Sequence, residues 1–137
     1  MNTKMFVDTS AFYALEDISD DNHKNAIEVR DEIKNKKIKL ITSNFVIDEI
    51  LTLLRIKLGH DVAVKFGKNI QKSKIIDVIH VTGEIEKLAW GTFVKYQDKD
   101  FSFTDCTSFE IMRKYRINRG FTFDNHFKQF GFKVNFE

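Results

Sequence analysis

The sequence predicts an α/β domain in which helices cover both faces of a mainly parallel sheet. Short apolar runs alternate along the chain with segments whose apolar residues recur at helical spacing, as expected of repeated strand–helix units. A length of 137 residues suits one compact domain. The chain contains no proline, no Gly/Ser-rich linker and no internal repeat, so we expect a single domain over residues 1–137.

The first half of the chain is predicted to contain two strands and three helices. Short apolar runs indicate the strands, and apolar residues three or four positions apart indicate the helices. Gly59 separates the last two helices, because glycine commonly ends a helix. The predicted elements are, in order, strand Lys4–Val7, helix Asp21–Lys34, strand Lys39–Thr42, a helix capped by Thr42 or Ser43 that runs to Leu58, and helix His60–Gln71.

The second half is predicted to contain three strands and three helical segments. Thr104 is a suitable N-cap for the helix that follows it. The predicted elements are, in order, strand Ile75–Val81, helix Gly83–Tyr96, helix Thr104–Tyr115, strand Phe121–Phe123, a short helical turn around His126–Phe130 and a strand near Lys133–Phe136. Ligands of such folds bind beyond the carboxyl ends of the strands, so the residues that follow each strand are the first candidates for a site.

Two aspartates directly follow predicted strands. Asp8 comes after the apolar run 5–7, and Asp124 comes after the apolar run 121–123. Both are therefore expected at the edge of the sheet where a site would form. Taken alone, each also fits a turn former or a helix cap.

Glu49 stands out because of its neighbours on the predicted helix. The residues three, four or seven positions from it are Phe45, Val46, Thr52, Leu53 and Ile56. All of them except Thr52 are apolar. A carboxylate on an apolar face is costly unless it is paired or bound to a metal. The adjacent Asp48 shares its face with polar residues and is predicted to be solvated. Glu49 is therefore the candidate of the two.

Asp105 falls in the first turn of the helix that Thr104 is predicted to cap. Backbone N–H groups and the helix dipole favour a negative charge in that turn. The same helix face continues through Phe109 and Met112, which are predicted core positions. A purely structural role and a role as a ligand are both open for Asp105 on these grounds.

Four acids in one pocket predict a bound cation. They would repel one another, and some would be forced to bind a proton unless a divalent ion compensated them. The histidines show no metal-binding spacing and are scattered as His23, His60, His80 and His126. Oxygen ligands without a Cys/His cluster favour Mg²⁺ or Mn²⁺ over zinc. Such an ion suits hydrolysis of a phosphodiester by activated water.

Composition bears on the class and location of the protein. The net charge of +2 does not by itself indicate nucleic-acid binding, and the lysines within 34–37 and 68–74 are predicted to be solvated surface. The single cysteine, Cys106, fits a reducing cytosol and is predicted to be small core filler. No apolar run approaches the ~20 residues that span a bilayer, and Met1–Met5 shows no signal core. We expect a cytoplasmic protein without a membrane partner.

Four sequence segments carry a family resemblance. They are VDTSAFYAL (7–15), TSNFVIDEILTLL (42–54), FSFTDCTSFEIM (101–112) and FTFDNHFKQFGF (121–132). In this order and spacing they resemble the four signature blocks of PIN-domain ribonucleases, most closely the small VapC-like group. The resemblance covers nearly the whole chain. It implies a three-layer α/β/α sandwich with a mainly parallel sheet of about five strands.

The resemblance also implies a site and partners. The residues that match the family's four catalytic, metal-binding acids are Asp8, Glu49, Asp105 and Asp124. Ser10 and Thr104 match hydroxyl residues that help to position the acids or the scissile phosphate, whereas Thr9 is expected to be hydrogen-bonded locally. The implied cofactor is Mg²⁺ or Mn²⁺. The implied partners are an RNA substrate, a second copy of the chain in a homodimer, and a small antitoxin that covers the acidic pocket.

Other functions are compatible with parts of the sequence. A phosphotransferase or phosphatase with Asp8 as nucleophile would want a second acid two residues later, where Ser10 stands. A receiver-type signalling domain gives Glu49 no role. A catalytically idle PIN-like module that binds RNA or protein is the main alternative, and retention of all four acids argues against it. A PIN nuclease that processes RNA without an antitoxin is the other.

Overall fold

The computed structural model describes residues 3–137 and confirms the predicted fold class. The strands are β1 (Lys4–Val7), β2 (Lys39–Ser43), β3 (Ile76–Ile79), β4 (Arg119–Phe121) and β5 (Lys133–Val134). The helices are α1 (Thr9–Glu16), α2 (His23–Asn35), α3 (Asn44–Leu58), α4 (His60–Lys72), α5 (Gly83–Lys95), α6 (Phe103–Lys114) and α7 (Asn125–Phe130). Met1 and Asn2, which belong to the start where we predict no signal core, lie outside the described residues.

All neighbouring strands of the sheet are parallel, in the order β3–β2–β1–β4–β5. The central strand β1 pairs with β2 on one side and with β4 on the other, so that Phe6 lies between Ile41 and Gly120. The chain passes from β1 to β2 and β3 on one side and returns to the other side at β4, so the strand order switches at β1. The crevice beyond the carboxyl end of such a switch is the usual ligand position.

Aromatic rings fill the core beneath this edge of the sheet. The fully buried phenylalanines are Phe6, Phe109, Phe121 and Phe127. The rings of Phe109 and Phe127 meet edge to face, with centroids 5.1 Å apart. Cys106 of α6 is also fully buried, as predicted for core filler, and burial raises the pKa of its thiol to about 11. Helix α6 is thus fixed to the core along much of its length.

Helix α1 was not predicted. It starts directly after Asp8, whose backbone carbonyl accepts the N–H groups of Ala11 and Phe12 at 3.1 and 3.2 Å. The helix has only eight residues, so its apolar periodicity extends over about two turns and does not stand out in the sequence. Its buried residues include Ala11, Phe12 and Ala14.

Strand β4 lies two residues earlier than predicted. The prediction was Phe121–Phe123, but side chains replace strand pairing beyond Phe121. The N–H of Thr122 donates to Oδ1 of Asn135 at 3.1 Å, and the N–H of Phe123 donates to Oγ of Ser10 at 2.9 Å. Asp124 therefore does not directly follow the strand. It is the N-cap of α7.

The N-cap of α6 is Ser102, so the prediction of Thr104 as the cap was wrong. Oγ of Ser102 accepts the N–H of Asp105 at 2.9 Å, and the Asp105 carboxylate accepts the N–H of Ser102 at 3.1 Å. This reciprocal capping box satisfies two helix-end donors at once. Thr104 lies inside the first turn, where its carbonyl accepts the Thr107 hydroxyl at 2.7 Å.

The remaining predicted elements agree with the structure to within about two residues. Ser43 caps α3 through its side chain, and Gly59 ends the helix with φ +105°. The lysines within 34–37 and 68–74 are exposed, as predicted. Within residues 3–137, no helix combines the length and the apolar character needed to cross a membrane.

Candidate metal centre

A cavity of about 300 Å³ opens at the carboxyl edge of the sheet. Its lining residues are Asp8, Thr9, Ser10, Glu49, Leu53, Ser102, Asp105, Asp124 and His126. The four predicted acids therefore converge on one pocket, although they come from four separate segments of the chain. Ser10 lies with them, whereas Thr104 is not among the described lining residues.

Asp8 is buried at the end of β1, with 3% of its surface exposed. Its Oδ2 accepts the hydroxyls of Ser10 and Thr122, each at 3.0 Å. Burial raises the pKa of this carboxyl to about 7, and the charge of Asp105 adds to the rise, although the hydrogen bonds act in the opposite direction. Asp8 is thus fixed by hydrogen bonds in a buried position, where its ionised form is destabilised.

Asp105 is fixed by the capping box at the start of α6, with 6% of its surface exposed. Its Oδ2 lies 2.7 Å from Nδ1 of His126. Burial raises the pKa of Asp105, and the nearby charge of Asp124 contributes, even though the hydrogen bonds from His126 and Ser102 oppose the shift. The structural role predicted from the sequence is confirmed, since Oδ2 of Asp105 accepts the N–H of Ser102 in the capping box. The residue also lines the pocket, where its carboxylate is available to a ligand.

Asp124 lines the pocket from the start of α7. Its Oδ1 accepts the N–H of His126 at 3.0 Å, which is the N-cap hydrogen bond of that helix. Its own N–H donates to the Thr122 hydroxyl at 3.0 Å. The same Thr122 hydroxyl contacts Asp8, so one buried side chain links two of the acids.

Glu49 lines the pocket, but the reasoning that singled it out was wrong. Its side chain is exposed, and Ile56 on the same helix face is 73% exposed. The residues of α3 that reach the core are Val46, Ile50 and Leu54. The face around Glu49 is therefore the mouth of the pocket, so its carboxylate has no burial cost to offset. Asp48 is exposed, as predicted.

Two hydroxyl predictions have different outcomes. Ser10 takes part in the network, since its Oγ lies 3.0 Å from Asp8 Oδ2 and 3.1 Å from the Thr122 hydroxyl. Thr9 was expected to be hydrogen-bonded locally, but its buried Oγ1 has no partner among the described residues. A buried hydroxyl without a partner in a polar pocket is expected to be satisfied by a bound ligand or water.

His126 and Thr122 were missed by the sequence analysis. The only sequence signal for His126 is its position two residues after Asp124, at the start of a helix that also faces the site. The signal for Thr122 is a hydroxyl within the apolar run 121–123. Burial lowers the pKa of His126, but its hydrogen bond to Asp105 and the charges of Asp124 and other acids raise it more, so the net shift is upward.

The donor set fits a hard divalent cation. Ligand atoms of Asp105, Asp124 and His126 all lie within 4.8 Å of one another. Asp8 and Glu49 line the same pocket outside this tight group. Burial, together with repulsion from a neighbouring acid, raises the pKa values of Asp8 and Asp105, so a cation in the pocket would stabilise their ionised forms. Carboxylate oxygens are the ligands that Mg²⁺ and Mn²⁺ prefer.

The fold and the pocket together define a class: α/β proteins that gather carboxylates at a strand-order switch, where they are suited to hold a divalent cation. The PIN domain family model matches residues 5–133, and the chain belongs to the PIN-domain family. The resemblance drawn from the four sequence segments is thereby confirmed.

Relatives of known activity cover most of the chain. The 23S rRNA-specific endonuclease VapC20 of Mycobacterium tuberculosis is 38% identical over 128 residues, which are 93% of this chain and 95% of that protein. The VapC ribonuclease of Archaeoglobus fulgidus is 28% identical over 114 residues, which are 81% of this chain and 71% of that protein.

Solved structures agree with these relationships. The crystal structure of M. tuberculosis VapC20, described as a sarcin–ricin loop cleaving toxin, superposes with a TM-score of 0.84 at 36% identity and covers 93% of this chain and 95% of that chain. FitAcB from Neisseria gonorrhoeae gives a TM-score of 0.69 at 10% identity, with 95% of each chain covered. At that identity the likeness concerns the fold alone.

Proposed function

We propose that the protein is a Mg²⁺- or Mn²⁺-dependent endoribonuclease whose nuclease domain spans residues 1–137. The observation that carries this proposal is the convergence of four acids on one pocket in a PIN-family fold whose relatives are ribonucleases. The catalytic residues of the proposal are Asp8, Glu49, Asp105 and Asp124.

The residues of the pocket divide the chemistry among them. Asp8, Asp105 and Asp124 would hold the cation. When bound, the ion supplies positive charge against the phosphodiester and makes an attacking water more acidic. Oγ of Ser10 and Oγ1 of Thr122 keep Oδ2 of Asp8 in place. The exposed carboxylate of Glu49, at the mouth of the pocket, is free to adjust to the substrate and to accept a proton from the attacking water.

Cleavage of RNA by matched variants tests the proposal. Wild type should cleave RNA with Mn²⁺ or Mg²⁺ and lose this activity in EDTA, whereas Asp8→Asn should be inactive with the metal present. The matched control is Asp48→Asn, because Asp48 is an exposed acid beside Glu49 that does not line the pocket among the described residues. Persistent cleavage by pure Asp8→Asn would contradict the proposal. Tight RNA binding in EDTA without cleavage in Mn²⁺ would indicate an idle binding module.

The sequence relationship suggests the first substrate to test. The relative that is 38% identical is named for 23S rRNA, and its structure is described as that of a toxin that cleaves the sarcin–ricin loop. We therefore propose a structured rRNA loop as the substrate class. Incubation of the wild type with intact ribosomes, followed by primer extension, should show one dominant cut in 23S rRNA. Cuts scattered across many sites would contradict this substrate assignment.

The partners of the proposal are an antitoxin and a second copy of the chain. The description of the M. tuberculosis structure as a toxin supports a neutralising protein. Exposed apolar residues on one face of α5 support a dimer. They are Trp90, Phe93 and Val94, each 42–60% exposed, and the rings of Trp90 and Phe93 stack with centroids 6.0 Å apart. Large exposed apolar patches commonly mark interfaces. Light scattering should give a dimer for wild type and a monomer for Trp90→Glu. A monomeric wild type would contradict the dimer, but not the nuclease.

A further inference from the structure

The side-chain amide of Asn135 holds the backbone of Thr122 at two points. The N–H of Thr122 donates to Oδ1 of Asn135 at 3.1 Å, and Nδ2 of Asn135 donates to the carbonyl of Thr122 at 3.0 Å. These two hydrogen bonds take the place of pairing with a neighbouring strand, because β4 has already ended at Phe121. The segment that leads from β4 to α7 is therefore held by a residue that follows β5.

Asn135 is itself fixed in an uncommon conformation. Its φ is +52°, a left-handed value that glycine and asparagine adopt more readily than other residues. Its N–H donates to the carbonyl of Gly120 at 2.8 Å, and its carbonyl accepts the guanidinium of Arg119 at 2.9 Å. The amide is thus presented to Thr122 from a backbone that is anchored on both sides.

Thr122 is hydrogen-bonded to two of the acidic residues. Its side chain is almost fully buried, with 2% of the residue exposed. Its hydroxyl donates to Oδ2 of Asp8 at 3.0 Å and accepts the N–H of Asp124 at 3.0 Å. A shift of the Thr122 backbone would therefore displace the contacts of Asp8 and Asp124 together.

We propose that Asn135 is a positioning residue of the acidic centre, acting through Thr122 on Asp8 and Asp124. Its amide bonds go to the Thr122 backbone, so its effect is on geometry and not on charge at the site. The catalytic consequence rests on the proposed nuclease function, whereas the consequence for cation binding does not.

A purely local role for Asn135 makes a different prediction. If the residue served only to form the turn after β5, any residue that accepts its left-handed backbone would replace it. Asn135→Gly keeps that backbone conformation accessible and removes the amide. The variant therefore removes the amide hydrogen bonds to Thr122 but still allows the turn after β5 to form.

The experiment compares Asn135→Gly with Arg116→Gly. Arg116 also has a positive φ, +56°, but it lies in the turn before β4, at the other end of that strand from the site. Mn²⁺ affinity is measured by calorimetry, and kcat and KM are measured on RNA. Asn135→Gly should bind Mn²⁺ roughly 10-fold more weakly and lose kcat by a similar factor with KM unchanged, as for other residues that orient metal ligands. Arg116→Gly should match wild type in both assays.

A double-mutant cycle tests the route through Thr122. Thr122→Val removes the hydroxyl that reaches both acids. If Asn135 acts by placing that hydroxyl, Asn135→Gly should cause no further loss of Mn²⁺ affinity in the Thr122→Val background. Full additivity of the two losses, or wild-type Mn²⁺ affinity in Asn135→Gly, would overturn the proposal.

The outcomes for the two proposals are distinguishable. A wild type that binds Mn²⁺ but cleaves no RNA refutes the nuclease proposal, and the Mn²⁺ affinities still decide the role of Asn135. A wild type that cleaves RNA, together with an Asn135→Gly variant of equal affinity and kcat, refutes only the role of Asn135. A wild type that binds no Mn²⁺ overturns both.

Discussion

The two sides of the acidic pocket are built in different ways. On the sheet side, Asp8 and Asp105 are buried and are held by hydroxyl and backbone hydrogen bonds. On the α3 side, Glu49 is exposed, and its side chain makes no hydrogen bond within residues 3–137. The buried acids are held by hydrogen bonds within the protein, and burial penalises their charge. The exposed acid is solvated. We infer that the sheet side holds the cation and that the α3 side serves the substrate.

The largest expected difference between the two sides concerns RNA cleavage. Asp105→Asn should reduce kcat by more than about 1,000-fold, since it removes a buried carboxylate that we propose as a cation ligand. Glu49→Gln should cost about 100-fold, the lower end of what a general base contributes. Single-turnover cleavage with saturating Mn²⁺ measures both. Equal losses in the two variants would remove the distinction between the sides.

The second difference between the two sides of the pocket concerns how the free energy of unfolding of the metal-free protein depends on pH. The folded-state pKa of Asp8, about 7, exceeds its ordinary value of 3.8, so the folded protein binds this proton more tightly than the unfolded chain does. The stability of the metal-free protein therefore falls as pH rises from about 4 through about 7. The raised pKa values of Asp105 and His126 act in the same direction, since stability from His126 is lost as pH rises through its folded-state pKa.

Asp8→Asn should remove much of this penalty. The amide oxygen can still accept the hydroxyls of Ser10 and Thr122, while the buried charge is gone. In EDTA the variant should unfold at a higher temperature than wild type at about pH 8, and the difference should shrink towards about pH 5. Differential scanning calorimetry measures both. Glu49→Gln, on the exposed side, is the control and should show no such trend. A destabilised Asp8→Asn at the higher pH would contradict the account of the sheet side.

The smallest expected effect concerns the cap that fixes Asp105. Ser102→Ala removes the hydroxyl that accepts the Asp105 N–H, so it should lower the free energy of unfolding by about 1 kcal/mol. Thr104→Ala, at the position first predicted as the cap, should lie within about 0.5 kcal/mol of wild type. Urea unfolding of both variants measures the difference. The opposite ranking would show that Ser102 does not cap the helix in solution.

The positions of the acids on the pocket were predicted better from the sequence than the local structure around them. Asp8 was found because parallel strands end at one edge, which is a property of the fold class. Asp105 was found from its first-turn position, although the cap lay two residues earlier than predicted. Glu49 was selected for burial that the structure does not show, so its position on the pocket does not follow from the reasoning that selected it. Helix periodicity alone does not reveal which apolar face meets the core and which borders an opening.

The residues that support the acids could not be predicted from sequence. Thr122 reaches Asp8 across 114 positions, and Asn135 reaches Thr122 from beyond β5. Such contacts depend on the sheet order, which places β4 beside β1 and β5 beside β4. A hydroxyl in an apolar run, or an asparagine after a strand, can serve many structural purposes. Which residues it contacts becomes clear only when the order of the strands in the sheet is known.

Cation binding by the acidic pocket is best measured by calorimetric titration of the metal-free protein with Mn²⁺, near neutral pH and in buffers of different ionisation enthalpy. Because Asp8 has a pKa of about 7 and must ionise to bind a cation, Mn²⁺ binding should release protons. We expect saturable binding whose apparent heat depends on the buffer, and much less of that dependence in Asp8→Asn. The absence of saturable Mn²⁺ binding, or binding unchanged by Asp8→Asn, would contradict the assignment of this pocket as a metal centre.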